Sequence, residues 1–292
     1  AADALVGAYV LDRRELDIAG RATNGIYRAL LCVAPEASGR GVGRALVARG
    51  RAWIEETARE LAAPVLSWGC IDEDNHRSSS LLASEGAREI GGLAMFMTYR
   101  QWPRERVALE PLAARRDPRE RRALVTSHGD CGLRDITPSR LDGVALTDAE
   151  GIRVSARVAV SGYRIETMGT ALDTIVRLGV TPFPPARRRL DPAAFRYVRL
   201  TDIALRPGCE RDWAGFVSTL LAHHGTHFGM AFLDPTSALH RRLRRTGTLG
   251  PWVHSTRASV RVMARVSGGN GVDMAEATAL PAGPLALAPV DG

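Results

Sequence analysis

Three glycines, Gly39, Gly41 and Gly43, stand between an apolar run (Ala29 to Ala34) closed by Pro35 and a helical pattern that opens at once. Glycine lets a backbone come close to a ligand, and the N–H groups of a helix's first turn attract anions. That combination points to phosphate or pyrophosphate, with Arg40 and Arg44 adding positive charge. The loop is not a P-loop, because no Lys-Ser/Thr pair follows. Nor is it a dinucleotide fingerprint, since the third glycine and the later acidic residue are absent. A second group, Asp72-Glu73-Asp74-Asn75, follows the strand-like run Val65 to Ile71. Its carboxylates are the nearest acidic candidates for a general base, and helix capping explains them equally well. His223, His224 and His227 lack the paired cysteine or carboxylate spacing of a metal site and read as a helix end, so no metal is expected. Cys32, Cys70, Cys131 and Cys209 are scattered without a C-x-x-C pair, as reduced thiols of a cytoplasmic protein would be.

With Val33-Ala34-Pro35 ahead of it, the glycine loop resembles the acetyl-CoA pyrophosphate loop of the GNAT N-acetyltransferases, V-x-P-x-x-[QR]-G-x-G-x-[GA]. Only Ser38 departs, at the Gln/Arg position. A second family segment, N-x-x-[AS]-x-x-L-Y-x-x-x-G-F, is matched by Asn75, Ser78, Leu81 and Gly86, with Leu82 for Tyr and Ala87 for Phe. The resemblance covers residues 5–100 and implies an acetyl-CoA site made by Cys32, Val33, Ala34, Ser38, Gly39, Arg40, Gly41, Val42, Gly43, Arg44 and Asn75. It implies direct attack of an unidentified amine on the thioester. In many members a tyrosine at the Leu82 position protonates the leaving thiolate, which leucine cannot do. Asp72, Glu73 and Tyr99 are the weak catalytic candidates, with Tyr9 a further phenol. Loss of the usual side chains at Ser38 and Leu82 keeps a non-catalytic acyl-CoA-binding or scaffolding protein open as the alternative. The family's first strand and following helices have no counterpart in the reading.

The 292 residues carry a net charge of +7 and a pI near 9.9, and every basic residue is arginine. Such a balance suits acidic ligands, CoA among them, or nucleic acid. Aromatic content of only 5% argues against a nucleic-acid stacking platform. Hydrophobic content of 45% with mean hydropathy −0.09 fits a globular core, and no apolar run is long enough for a membrane span.

The element pattern places strands at 5–12, within 15–26, at 27–33, 65–71 and 93–99, with helices opening at Gly41 and after Asn75. Residues 101–122 read as a proline- and arginine-rich linker. Strands follow at 152–163 and 173–180, an exposed loop at 181–192 and a strand at 197–205. A helix at 212–224, a strand at 228–233, a helix opened by Asp234-Pro235 and strands within 253–266 complete the order. Strand, helix, strand, helix, strand thus occurs twice, which predicts an α/β fold with a mixed sheet: the acyl-CoA N-acetyltransferase fold in two tandem GNAT-like units. The units are 1–104, which binds acetyl-CoA, and 123–292, joined by the linker 105–122. In the second, Gly208-Cys209-Glu210 puts a carboxylate where the anion would sit, so no cofactor is expected there. The tail from Ser267 reads as poorly ordered. A homodimer is an open expectation.

Overall fold

The computed structural model describes residues 5–18, 21–112, 133–135, 142–164, 194–247 and 260–268. The expected strand at 173–180, the loop at 181–192, residues 123–132, Cys131 and the tail beyond 268 lie outside the described residues.

Among the described residues eleven strands form one sheet in the order β5-β7-β8-β9-β10-β4-β11-β3-β2-β1-β6. The first half supplies β1 (Gly7–Ile18), β2 (Arg21–Val33), α1 (Val42–Glu60), β3 (Val65–Asp72), α2 (His76–Ser84) and β4 (Arg88–Tyr99). Short strands β5 (Glu110–Pro111), β6 (Leu133–Asp135) and β7 (Asp142–Asp148) follow. The second half repeats the first with β8 (Gly151–Tyr163), β9 (Phe195–Leu205), α3 (Asp212–His223), β10 (Phe228–Leu233), α4 (Ala238–Arg245) and β11 (Val260–Ser267). Strand lengths exceed the sequence reading: β1 and β2 form one long antiparallel hairpin, so residues 15–26 belong to its two arms.

The halves do not make separate sheets packed side by side. Each gives its last strand to the other: β4 pairs antiparallel with β10, while β11 lies between β3 and β4 and pairs antiparallel with both. Four buried residues of β11, Val262, Met263, Ala264 and Val266, join the first half's core. Residues 104–107 are likewise docked rather than loose. Arg104 N–H donates to Ser218 Oγ at 3.1 Å and Arg106 N–H to Thr219 Oγ1 at 2.9 Å, both on α3.

The four helices among the described residues cover one face. On β4, Ala94 and Phe96 join the cluster around Trp213, Phe216 and Leu220 of α3, while Leu93 points into the opposite-face cluster with Tyr27, Trp68 and Val262. Met263, the neighbour of Val262 on β11, packs instead with Val47 of α1 and Leu82 of α2. Alternation of side chains along a strand then puts α1, α2 and α3 on the same side. On α1 the buried stripe is Val47, Gly50, Ile54, Thr57 and Ala58, the spacing of one helical face. Gly50 is required: a Cβ there would stand 2.6 Å from the Tyr9 ring.

The helix at 238–245 is not opened by Asp234-Pro235. Its N-cap is Ser237, whose Oγ accepts from His240 N–H at 3.0 Å. The Asp234 carboxylate instead takes the Thr236 N–H at 2.7 Å, an Asx-type turn one step earlier.

Candidate functional site

Strands β2 and β3 are parallel and pair only from Asn24–Val65 to Tyr27–Trp68. Beyond that point they part. The cause is local: the β1–β2 register slips between Ala8 and Val10, leaving Leu30 in the bulge with φ 46°. A bulge bends its strand and sharpens the twist, which carries β2 away from β3. The apolar run Ala29 to Ala34 is therefore not the buried strand its composition suggests. Burial on β2 belongs to Gly25, Ile26, Tyr27 and Arg28, whereas Leu30 and Cys32 are exposed and Leu31 and Val33 half-buried.

Past Val33 a tight 3-10 turn (Pro35–Ala37) leads into the glycine loop. Ser38 and Arg40 spend their N–H groups inside this turn, on the carbonyls of Pro35 and Ala37. Gly39 and Gly41 adopt φ of 78° and 82°, a left-handed region that side chains resist. Gly41 is the N-cap of α1 and no side chain caps the helix. The first-turn N–H groups of Val42, Gly43 and Arg44 thus have no helical acceptor, and no backbone acceptor takes those of Gly39 and Gly41 among the described residues.

These groups open onto a cleft of about 640 Å³. Leu31, Val33, Ala37 and the loop from Ser38 to Arg44 form one wall, except for Arg40. The other is α2, which presents Arg77, Ser78, Ser80, Leu81 and Ser84. Two guanidinium groups, four serine hydroxyls and a row of N–H donors face the cleft, and no carboxylate among the described residues lines it. Its chemistry suits a phosphorylated, anionic guest. Ser78 and Leu81 belong to the second family segment, whereas Arg77, Ser80 and Ser84 were missed by sequence reading, although their spacing of three, four and seven is one face of a helix.

The structure brings Val33, Ser38, Gly39, Gly41, Val42, Gly43 and Arg44 together at this cleft. Cys32, Ala34 and Arg40 flank it without lining it. Asn75 is the N-cap of α2, its Oδ1 accepting from Ser78 N–H at 3.1 Å. Asp72 and Glu73 are exposed at the end of β3, and Asp72 Oδ1 accepts from Asp74 N–H at 3.0 Å. Tyr99 stands apart. Leu93 and Asp72 are level across β11, both opposite Val260. Tyr99 lies six residues further along β4, roughly 20 Å at the rise of a strand, where its ring meets Phe228 at 5.1 Å. Leu82 does not face the cleft either, being buried with Val47, Ile71, Ala87 and Met263. Among the described residues no cluster of three potential metal-ligating side chains occurs, and no helix is long and apolar enough to cross a membrane.

The second half repeats the geometry with a carboxylate at the helix start. Strands β9 and β10 pair from Val198–Gly229 to Leu200–Ala231 and then part, with Asp202 in the bulge at φ 49°. There Glu210 stands at the start of α3, accepts the Gly208 N–H at 3.3 Å and pairs with Arg242 of α4. Burial acts to raise the Glu210 pKa, but backbone hydrogen bonds and Arg242 prevail and hold it below the ordinary carboxylate value. Nearby, Arg206 pairs with Asp148, and Arg153 reaches Asp212 at 2.6 Å. The hydrogen bond from Arg206 is the main cause of a lowered Asp148 pKa.

No protein-family model and no curated protein sequence matches the chain. Solved structures do. Saccharomyces cerevisiae N-myristoyltransferase with bound myristoyl-CoA superposes with a TM-score of 0.55 at 8% identity, over 92% of this chain and 70% of that one. The same yeast enzyme with myristoyl-CoA and inhibitors gives 0.53 at 9% identity, over 92% and 68%. A GCN5-related N-acetyltransferase from Sphaerobacter thermophilus reaches 0.47 at 15% identity, over 85% and 75%. The chain therefore has the GNAT-type acyl-CoA N-acyltransferase fold, built here from two like-ordered halves that exchange their last strands.

Proposed function

We propose that this protein is an acyl-CoA-dependent N-acyltransferase that moves an acetyl group from acetyl-CoA to an amine. The observation that carries the reading is the loop from Gly39 to Arg44, whose unspent N–H groups open onto a cleft flanked by Arg44 and Arg77. In this reading the pyrophosphate rests on those N–H groups. The pantetheine arm runs down the gap between β2 and β3, along the backbone of Cys32 to Ala34. Asn75 acts through the α2 N-terminus that it caps. The neutral amine attacks the thioester carbon, the C–N bond forms, and CoA leaves with the C–S bonding pair. Positioning and fixed dipoles supply most of the acceleration in such a site, so no strong side-chain catalyst is required. Asp72 and Glu73, exposed at the end of β3, remain weak candidates for taking the amine's proton.

Yeast N-myristoyltransferase holds myristoyl-CoA, so acyl length is part of the test. Calorimetric titration with acetyl-CoA and longer acyl-CoAs reads binding, and a thiol-trapping assay with an amine panel reads turnover. Saturable binding with CoA release supports the reading. Binding without release from any amine favours a non-catalytic acyl-CoA-binding protein, for which the buried Leu82 in place of a phenol is the motivating observation. No binding of any acyl-CoA overturns both.

A further inference from the structure

Helices α1 and α2 run the same way on one face of the sheet. Each links strands of one direction: β2 to β3 for α1, and β3 to β4 for α2, with the antiparallel β11 between those two. Both helices therefore begin at the end of the sheet where the cleft opens. Only the first turn of α1, Val42 to Arg44, lines that cleft, whereas α2 lines it from Arg77 to Ser84. Further along the helices converge, and Val47 and Leu82 share one buried cluster. The pair is splayed at its N-termini, and the angle of the splay sets the distance from the N–H row and Arg44 to Arg77.

At the foot of the splay stands a chain of alternating charges. Glu85, the C-cap of α2 and the residue after Ser84, accepts from Arg51 Nη1 of α1 at 3.1 Å. Arg51 Nε reaches Glu55 Oε1 at 3.2 Å, and the same oxygen takes Arg265 Nη2 of β11 at 2.9 Å. The side chains at its two ends, Glu85 and Arg265, are 14% and 20% exposed, so solvent and salt screen them less than a free surface pair. Along α1, Arg51 lies about one turn beyond Val47 and two beyond Arg44, on the side away from the mouth. None of the four residues lines the cleft, so none holds the guest. Each link instead fastens one element to another: α2 to α1, and α1 to a strand that the second half supplies.

We infer that Arg51 and Glu85, backed by Glu55 and Arg265, are positioning residues for the cofactor: they fix the splay of α1 and α2 so that both walls of the cleft meet one acyl-CoA. This rests on the acyl-CoA reading above. The second half then reaches the cofactor site with a side chain as well as a strand. A tie between the walls lends binding no more than its own strength, which for partly exposed ion pairs bounds the expected loss at about two- to fivefold.

The experiment is calorimetry of CoA binding to the full chain, well below the melting temperature of every variant compared. Arg51→Met and Glu85→Gln should each weaken CoA by about two- to fivefold, and the double variant by no more than the weaker of the two, since the same tie is cut. Arg51→Lys, which keeps the charge, should recover part of the loss, and Arg265→Met, at the far end of the chain, should weaken binding in the same direction. Arg13→Met is the control: it cuts the exposed pair Arg13–Glu60, which joins α1 to β1 and not to α2, and should leave CoA affinity unchanged. Unchanged affinity in both Arg51→Met and Glu85→Gln, losses that add in the double variant, or an equal loss in Arg13→Met overturns the positioning role and leaves the CoA site standing. Failure of the unaltered protein to bind CoA overturns both.

Discussion

Residues 1–104 contain the whole candidate cleft and should nevertheless fail to fold alone. The fragment lacks β11, which pairs with β3 along eight residues, from Val260–Asp72 to Ser267–Val65, and with β4 from Val260–Leu93 to Ala264–Arg88. Without it β3 and β4 are not neighbours, and the sheet is cut beside Trp68. Three large apolar side chains go with the strand: Val262, Met263 and Val266, each 8% exposed or less. At about 1.5–3 kcal/mol for each such side chain, their burial is worth roughly 5–9 kcal/mol, before counting the ladder. A domain's net stability is only about 5–15 kcal/mol, so the loss is of the same size as the whole. The edge of β4 that pairs with β10 is exposed as well, an aggregation hazard. Circular dichroism melting and calorimetric titration with acetyl-CoA test this on 1–104, alone and after co-expression with 105–292. We expect no cooperative transition alone, and recovery of both folding and binding in the pair. A soluble monomeric fragment that melts cooperatively and binds acetyl-CoA as the full chain does would refute the strand-exchange reasoning.

Gly41→Val should weaken acetyl-CoA binding at least tenfold, about 1.4 kcal/mol. The obstacle is conformational, since a Cβ at Gly41 meets nothing within 4 Å but φ of 82° strains a branched residue; unchanged calorimetric affinity in a folded variant would count against the loop. Alkylation mapped by mass spectrometry at pH 8 should label exposed Cys32 and spare Cys70, whose thiol burial pushes up to about 12, and acetyl-CoA should slow the labelling of Cys32. The lowered pKa values of Glu210 and Asp148 contribute stability above the ordinary carboxylate range that is lost as pH falls through their folded values. Melting temperature should therefore drop below about pH 4, and Glu210→Gln should flatten that drop while costing about 1.5–3 kcal/mol at neutral pH for the lost charged hydrogen bond; an unchanged acid limb excludes Glu210 as its source. Leu82→Tyr should destabilise by about 1–3 kcal/mol through overpacking rather than supply an acid; a rate increase at unchanged melting temperature would show that the side chain reaches the cleft after all.

The glycine loop was legible because its function is local: left-handed φ at Gly39 and Gly41 and an uncapped helix start are written in neighbouring residues. So were the helical stripe through Gly50 and most strand positions. What the sequence hid was set by distance or by shape. The partner of Val65 to Asp72 lies nearly two hundred residues later in the chain, and hydrophobic periodicity carries no information about which strand a strand adjoins. The run Ala29 to Ala34 looked buried because it is apolar, yet the bulge at Leu30 carries it away from β3, still paired with β1, and Leu31 and Val33 line the cleft. Leu82 drew attention through the family motif, and only packing shows that it belongs to the core.

The two halves make an internal comparison. Each has a parting pair of parallel strands, a bulge with a left-handed non-glycine residue, and a helix that begins behind the gap. The second loop reaches its helix two residues sooner after the shared proline, which removes the counterparts of Gly39 and Gly41. Glu210 then lies at the helix start, takes the Gly208 N–H and has Arg242 against it, so a carboxylate of the chain itself stands at that position. At the first gap the corresponding charge is left open: the N–H row, with Arg44 and Arg77 lining the cleft. Building an anion-shaped environment and leaving it without an internal anion is costly, and the second half shows that this fold can close such a site with one carboxylate. That the first half keeps it open is the physical reason for placing the ligand there, and the second half's part in the site is to supply β11, the strand that holds β3 and β4 in register beside it.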